Sequence, residues 1–290
     1  MTAVVSFIQM RLSRREIAKL IIAAPLSAAV TKINSRIDGV MIGAQSYSFR
    51  AFPLEQCVAD MKDIGLGFVE LWQGHLEPKD EKAATAWRKD PPMDEIRAAK
   101  KRFDDAGIVI YALNYSFRDS FSEVELENGF KIAHALGTDK ITASANVDVS
   151  ARVDPLAEKY RAYVGFHNHD SMEPNEFSTP ADFDRAMAGR SKYMKINLDI
   201  GHFTAANFDP VSYLEQHHDD ILTLHIKDRK KDHGTNVPFG RGDTRIKDVL
   251  QILKSRKYPI PAMIEYEYAK PEDALAEVRK AFDYMKQALA

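Results

Sequence analysis

Thiols are nearly absent from this chain: Cys57 is the one cysteine in 290 residues. A lone cysteine forms no intrachain disulfide and no cysteine-spaced zinc site. Its setting, LEQCVADM, reads as helix packing. An excess of either charge is also missing. Lys and Arg number 40 against 42 Asp and Glu, a formal net charge of −2, which gives no support for a nucleic-acid or membrane-surface partner. No G-x-G-x-x-G follows an early apolar run, so the usual mark of a dinucleotide-binding open sheet is lacking. Low-complexity tracts and solenoid-spaced repeats are lacking too. What remains, 45% hydrophobic and 28% charged, is the composition of an ordinary globular protein. Its length suits two domains or one large α/β barrel.

The N-terminus differs from the rest. RLSRREIAKLIIAAPLSAAV runs from positive charge to an apolar stretch to small residues near Ser27 and Ala29, the order of a signal peptide. The apolar stretch is too short to span a bilayer as a mature helix. SRREIAK, from Ser13 to Lys19, resembles the twin-arginine export motif, with Ile17 and Ala18 where Phe and Leu are usual. The resemblance implies export of an already folded protein to the periplasm. The alternative is an N-terminal extension with a chance Arg-Arg pair and a cytoplasmic protein. Residues 1–38 are therefore set apart as signal and linker, and residues 39–290 are taken as one domain.

From residue 39 onward one beat repeats: a short apolar run, polar residues, then an amphipathic stretch. The apolar runs are 39–48, 67–74, 108–115, 139–146, 162–170, 195–203, 221–229 and 261–268. Helix candidates lie between them, such as PPMDEIRAAKKRFDDAG (91–107), with Pro near its start and Gly at its end. A last helix is expected over 270–290. Strands alternating with helices argue for parallel βα units, and eight of them fit a (β/α)8 TIM barrel. A doubly wound open sheet is the alternative.

In such barrels the chemistry sits at the C-terminal strand ends, and here those ends carry the unusual residues. Glu70, Trp72 and His75 end the second run; Gln45, Tyr47 and Asn114 end the first and third. The fifth closes on VGFHNHD. Side chains alternate along a strand, so His167 and His169 point one way and Asn168 the other. Asp199 and His202 follow on the sixth, His225, Lys227 and Asp228 on the seventh, Glu265 and Glu267 on the eighth. Singly, each is explained by a turn, a cap or a surface pair. Together, His167, Asp199, His225 and Glu265 stand at comparable depth on four consecutive strands. Two imidazoles and two carboxylates crowded without a counter-charge would be costly to bury, and a divalent cation removes that cost. Mixed N/O ligation suits Mn, Co, Fe or Zn, with Mg also open, better than Ca.

The segments VELWQGH, GFHNHD, NLDIGH, LHIKDR, PFGRGDT and MIEYEY, spread over most of residues 39–290, resemble the sugar phosphate isomerase/epimerase family of xylose isomerase-like TIM barrels, relatives of the AP endonucleases. The resemblance implies metal ligands Glu, Asp, His and Glu on strands five to eight. The last three fall on Asp199, His225 and Glu265, and His167 stands where the first Glu is expected. It also implies proton transfer next to a carbonyl through an enediolate, with paired ligand glutamates as acid and base. Here Glu265 would be the one ligand carboxylate placed for proton abstraction, complemented by Lys227, His202 or His169. Tyr47, Glu70, Trp72, His75, Asn114, His169 and Arg241 are the expected substrate contacts. Phe117 and Phe203 are further stacking candidates, and Arg118, Arg229 and Arg241 candidate holders of a phosphate or carboxylate. Asp243 reads as the N-cap of the helix that follows it. The expected function is a metal-dependent isomerase or epimerase of a sugar or keto-sugar. Alternatives are a lyase or dehydratase on an oxidised 3-keto sugar or glycoside, a metal-free sugar-binding protein, and an apurinic endonuclease, for which the basic face is missing. The expected partner is a small carbohydrate, with monomer and homo-oligomer both open.

Overall fold

Each of the eight apolar runs forms a parallel strand. A computed structural model describes residues 30–290; the signal-like segment at residues 1–29 lies outside the described residues. The strands are β1 (Val40–Gln45), β2 (Phe68–Trp72), β3 (Val109–Asn114), β4 (Lys140–Ala143), β5 (Tyr163–His167), β6 (Met194–Asp199), β7 (Ile221–Ile226) and β8 (Ala262–Ile264). They pair in that order, and β8 pairs with β1 through Ala262↔Ile42, closing the barrel. The compact unit begins at Lys32, earlier than the expected residue 39. Arg36–Ile37 folds back on β1, and the buried Ser35 hydroxyl takes the amide of Gly67 while donating to the Ile42 carbonyl. The boundary was misplaced because these few residues carry no apolar run of their own.

The helices follow from local signals. Around the barrel run α1 (Leu54–Ile64), α2 (Glu81–Lys89), α3 (Met93–Ala106), α4 (Glu123–Ala135), α5 (Ser150–Tyr160), α6 (Pro180–Met187), α7 (Ile200–Ala205), α8 (Pro210–His217), α9 (Ile246–Arg256) and α10 (Ala274–Leu289). In α3 the buried residues Ile96, Ala99, Phe103 and Ala106 recur at helical spacing, and Gly107 ends the helix at φ 78°, a conformation glycine adopts without strain. Burying a side chain such as Phe103 contributes about 1.5–3 kcal/mol. Cys57 packs fully buried on α1, as expected. Asp243 does not cap α9. Arg245 holds that position, and Asp243 instead accepts from the Lys230 side chain and the Lys231 amide.

Register places the chemistry. His167 pairs with Asn197, Asp199 with His225, and His225 with Met263, two residues short of Glu265. The four candidate ligands therefore step along the barrel by two, zero and two residues. Even steps preserve the face, so all four side chains point inward at the C-terminal mouth.

Candidate metal centre

The HNHD run does four separate jobs. His167 and His169 both face the cavity, their ring centroids 4.9 Å apart. Asn168, fully buried on the opposite side, bridges β5 to β6: its Oδ1 accepts from Asp199 N at 2.9 Å and its Nδ2 donates to Asp199 O at 3.1 Å. Asp170 turns to His202 Nδ1 at 3.0 Å and to the Arg229 guanidinium at 2.5 Å. The strand end thus supplies one candidate ligand, fixes the backbone of a second and anchors the layer behind it.

His167, Asp199, His225 and Glu265 each offer one donor atom, and these atoms lie within 4.8 Å of one another. Atoms bound at about 2.0–2.3 Å to one ion stand at most about 4.6 Å apart, so a small contraction suffices. His167 Nε2, Asp199 Oδ2, His225 Nδ1 and Glu265 Oε2 are all buried without a hydrogen-bond partner. Buried polar atoms are rarely left unpartnered, and here four converge. The remaining atoms of the set are engaged. Asp199 Oδ1 accepts from His202 N at 2.7 Å, capping α7. His225 Nε2 sits 2.8 Å from Glu70 Oε1, and Ser144 Oγ lies 3.5 Å from His167 Nδ1. A carboxylate behind the far nitrogen of a histidine fixes its tautomer and turns the other nitrogen toward an ion. The donor set fits a divalent metal.

The site is not free of counter-charge, as the sequence suggested it would be. Lys227, almost fully buried, places Nζ 3.0 Å from Glu265 Oε2, 3.3 Å from Asp199 Oδ2 and 2.6 Å from Glu267 Oε2. Burial would lower its pKa, but these three carboxylates outweigh burial and raise it. Lys227 therefore stays charged and is a poor proton donor. Burial would likewise raise the Glu265 carboxyl; Lys227 and His225 outweigh it and hold the group well below the usual carboxylate range. His225 is pushed the other way from what its burial dictates, because Glu70 and Glu265 favour the imidazolium.

A cavity of about 330 Å³ opens above this cluster, within the range of small-ligand pockets. The expected residues Tyr47, Trp72, Asn114, His169 and His202 line it, with Gln45, Ser116, Arg118, Ser144, Lys227 and Glu267. Tyr47 and Trp72 meet edge to face at 5.0 Å. His169 is held neutral, its pKa lowered to about 2 by burial first and the neighbouring His167, His202 and Lys227 next. His202 has Lys227 Nζ 3.0 Å from Nε2 and Asp170 on Nδ1, so it sits behind Lys227.

Other expected contacts lie elsewhere. Glu70 has no exposed surface and takes Gln45 Nε2, Thr142 Oγ1 and His225 Nε2 on one oxygen. It orients His225 and does not reach substrate. The pairing of β2 with β3 shifts register between Val69 and Glu70; such irregularities re-aim side chains, and plain alternation does not reveal them. His75 stands behind Trp72, its Nε2 3.0 Å from the Ser46 carbonyl. Arg241 is exposed on a loop whose amides wrap the buried Asp228. Phe117 and Phe203 are core residues, and Arg229 is spent on Asp170 and the Gly234 carbonyl.

Residues 58–288 match the family described as xylose isomerase-like TIM barrel. Among curated relatives, the L-ribulose-5-phosphate 3-epimerase UlaE of an Escherichia coli strain is 36% identical over 271 residues, 83% of this chain and 93% of the relative. Among solved structures, the IolI protein with a zinc atom bound superposes with a TM-score of 0.65 at 15% identity, covering 86% of this chain and 96% of that one. The 3-keto-D-glucoside 4-epimerase YcjR from E. coli does so with a TM-score of 0.65 at 14% identity, over 86% and 99%. Likeness at such identity shows the fold alone.

Proposed function

Because the chain belongs to the xylose isomerase-like TIM barrel family, we propose that it is a sugar isomerase or epimerase whose His167, Asp199, His225 and Glu265 hold one divalent cation. One observation carries this: four converging buried donor atoms without partners at the C-terminal mouth of the barrel. A cation held there supplies a Lewis acid for a carbonyl and its neighbouring hydroxyl, acidifying the C–H between them.

The chain's own groups do the rest. Glu265 contributes Oε2 to the cluster and lines the cavity, so it is the carboxylate placed to take the proton. The Lys227 ammonium, fixed in the cavity wall, stabilises the negative charge that develops on the enediolate oxygen. Tyr47 and Trp72 offer faces and edges to the sugar. Returning the proton to another face or carbon gives the epimer or isomer. A second reading, elimination from a 3-keto sugar, is favoured by the asymmetry of the site. His167 occupies the place of the second glutamate, and β-elimination needs one carboxylate base where epimerisation draws on two. The twin-arginine-like segment supports placing this chemistry outside the cytoplasm, on free sugars or glycosides.

The test is hydrogen exchange in D2O with ketoses and 3-keto-glucosides, followed by NMR. The C–H next to the carbonyl should exchange at least roughly 100-fold above the blank, stop with a chelator and resume with Mn or Co. An enone-like product assigns elimination. No exchange on any such substrate by the metal-loaded protein contradicts the proposal.

A further inference from the structure

Arg118 is a half-buried arginine that lines the cavity with no hydrogen bond and no ion pair among the described residues. Other arginines of comparable or deeper burial are engaged: Arg88 with Glu77 and Glu125, Arg152 with Glu123, Arg229 with Asp170, Arg279 with Asp63, Arg50 with the Tyr266 carbonyl. The adjacent Asp119 does not neutralise it, for that carboxylate accepts from Asn175 Nδ2 at 3.1 Å.

Topology gives the position meaning. Arg118 follows β3, which stands four strands from β7 in a ring of eight. It therefore sits across the mouth from Lys227 and the candidate ligands on β5–β8. The free carboxylates of the cavity, Glu265 and Glu267, lie on the far side with Lys227. One half of the cavity takes the reacting oxygens, and the other presents an uncompensated guanidinium beside the Ser116 hydroxyl.

We infer that the substrate carries an anionic group, a carboxylate or a phosphate, at the end remote from its carbonyl, and that Arg118 receives it. The planar guanidinium matches either anion through two parallel N–H···O bonds. This rests on the isomerase or epimerase reading of the cavity and names its substrate class.

The experiment uses D-fructose, D-fructose 6-phosphate and D-fructuronate, ketohexoses that differ at C6. Their dissociation constants are measured by calorimetry on the metal-loaded protein and on Arg118→Ala, Arg118→Gln and Arg118→Lys, with the metal content of each determined. At least one anionic ketose is expected to bind roughly 10-fold or more tighter than fructose, and which one separates carboxylate from phosphate. That ratio should fall to near one in Arg118→Ala and Arg118→Gln and survive in part in Arg118→Lys. Fructose binding as tightly as both anions, no binding of either anion, or a ratio kept in Arg118→Ala overturns the inference. Solvent-hydrogen exchange on the same sugars judges the reaction separately. An anion preference that depends on Arg118 without exchange leaves this inference standing and refutes the isomerase reading; exchange without the preference does the reverse.

Discussion

Asp199→Ala and His225→Ala are each expected to lose the divalent cation and the activity together. Both side chains are buried and each contributes one of the four unpartnered atoms. Removing either leaves three donors around a cavity too large for the ion. The loss in affinity should exceed the roughly 10–100-fold that removing an outer hydrogen-bond partner brings. His225→Ala additionally strands Glu70, whose ring partner at 2.8 Å disappears, so it should also be the less stable of the two. Metal analysis after dialysis, with circular dichroism to confirm folding, reads the result. A folded variant that retains stoichiometric metal removes that residue from the ligand set.

Glu265→Gln separates holding the cation from moving the proton. The amide oxygen can still ligate, and Lys227 keeps Asp199 and Glu267 as partners. Metal binding should weaken but persist. Exchange of the substrate C–H with solvent should fall by roughly 10²–10⁴, the usual contribution of a positioned general base. The comparison is of exchange rates at saturating metal. An unchanged rate would pass the role to Glu267, the other cavity carboxylate on that side.

The barrel was legible because its eight apolar runs are separated by amphipathic stretches with clear stop signals, such as Gly107 after α3. The convergence of His167, Asp199, His225 and Glu265 was legible for a related reason. Alternation tells which face a residue takes, and consecutive strands in a barrel are neighbours. What alternation cannot give is stagger, and stagger decided the rest. Glu70 reads like a substrate residue at a strand end, yet a register shift beside Val69 sets it beneath His225. Lys227 was recognised as sharing the inner face with His225. Its engagement by three carboxylates depends on how β6, β7 and β8 sit against one another, and so its role as a fixed counter-charge did not show in the chain. Arg241 and His75 failed for another reason: they lie in loop or turn segments, whose course is set by the polar groups they wrap, Asp228 for one and Ser46 for the other.

The most direct measurement is a calorimetric and spectroscopic titration of chelator-treated protein with Co(II), run in buffers of different ionisation enthalpy. Glu70 and Glu265 keep His225 protonated at neutral pH against the effect of burial, and a ligating nitrogen must give up its proton. One cation per chain should bind, about one proton should leave with it, and affinity should rise with pH through the neutral range. The visible spectrum should report mixed nitrogen and oxygen ligation. Absence of a stoichiometric site, or binding that persists unchanged in Asp199→Ala and His225→Ala, would contradict the metal centre and with it the proposed chemistry.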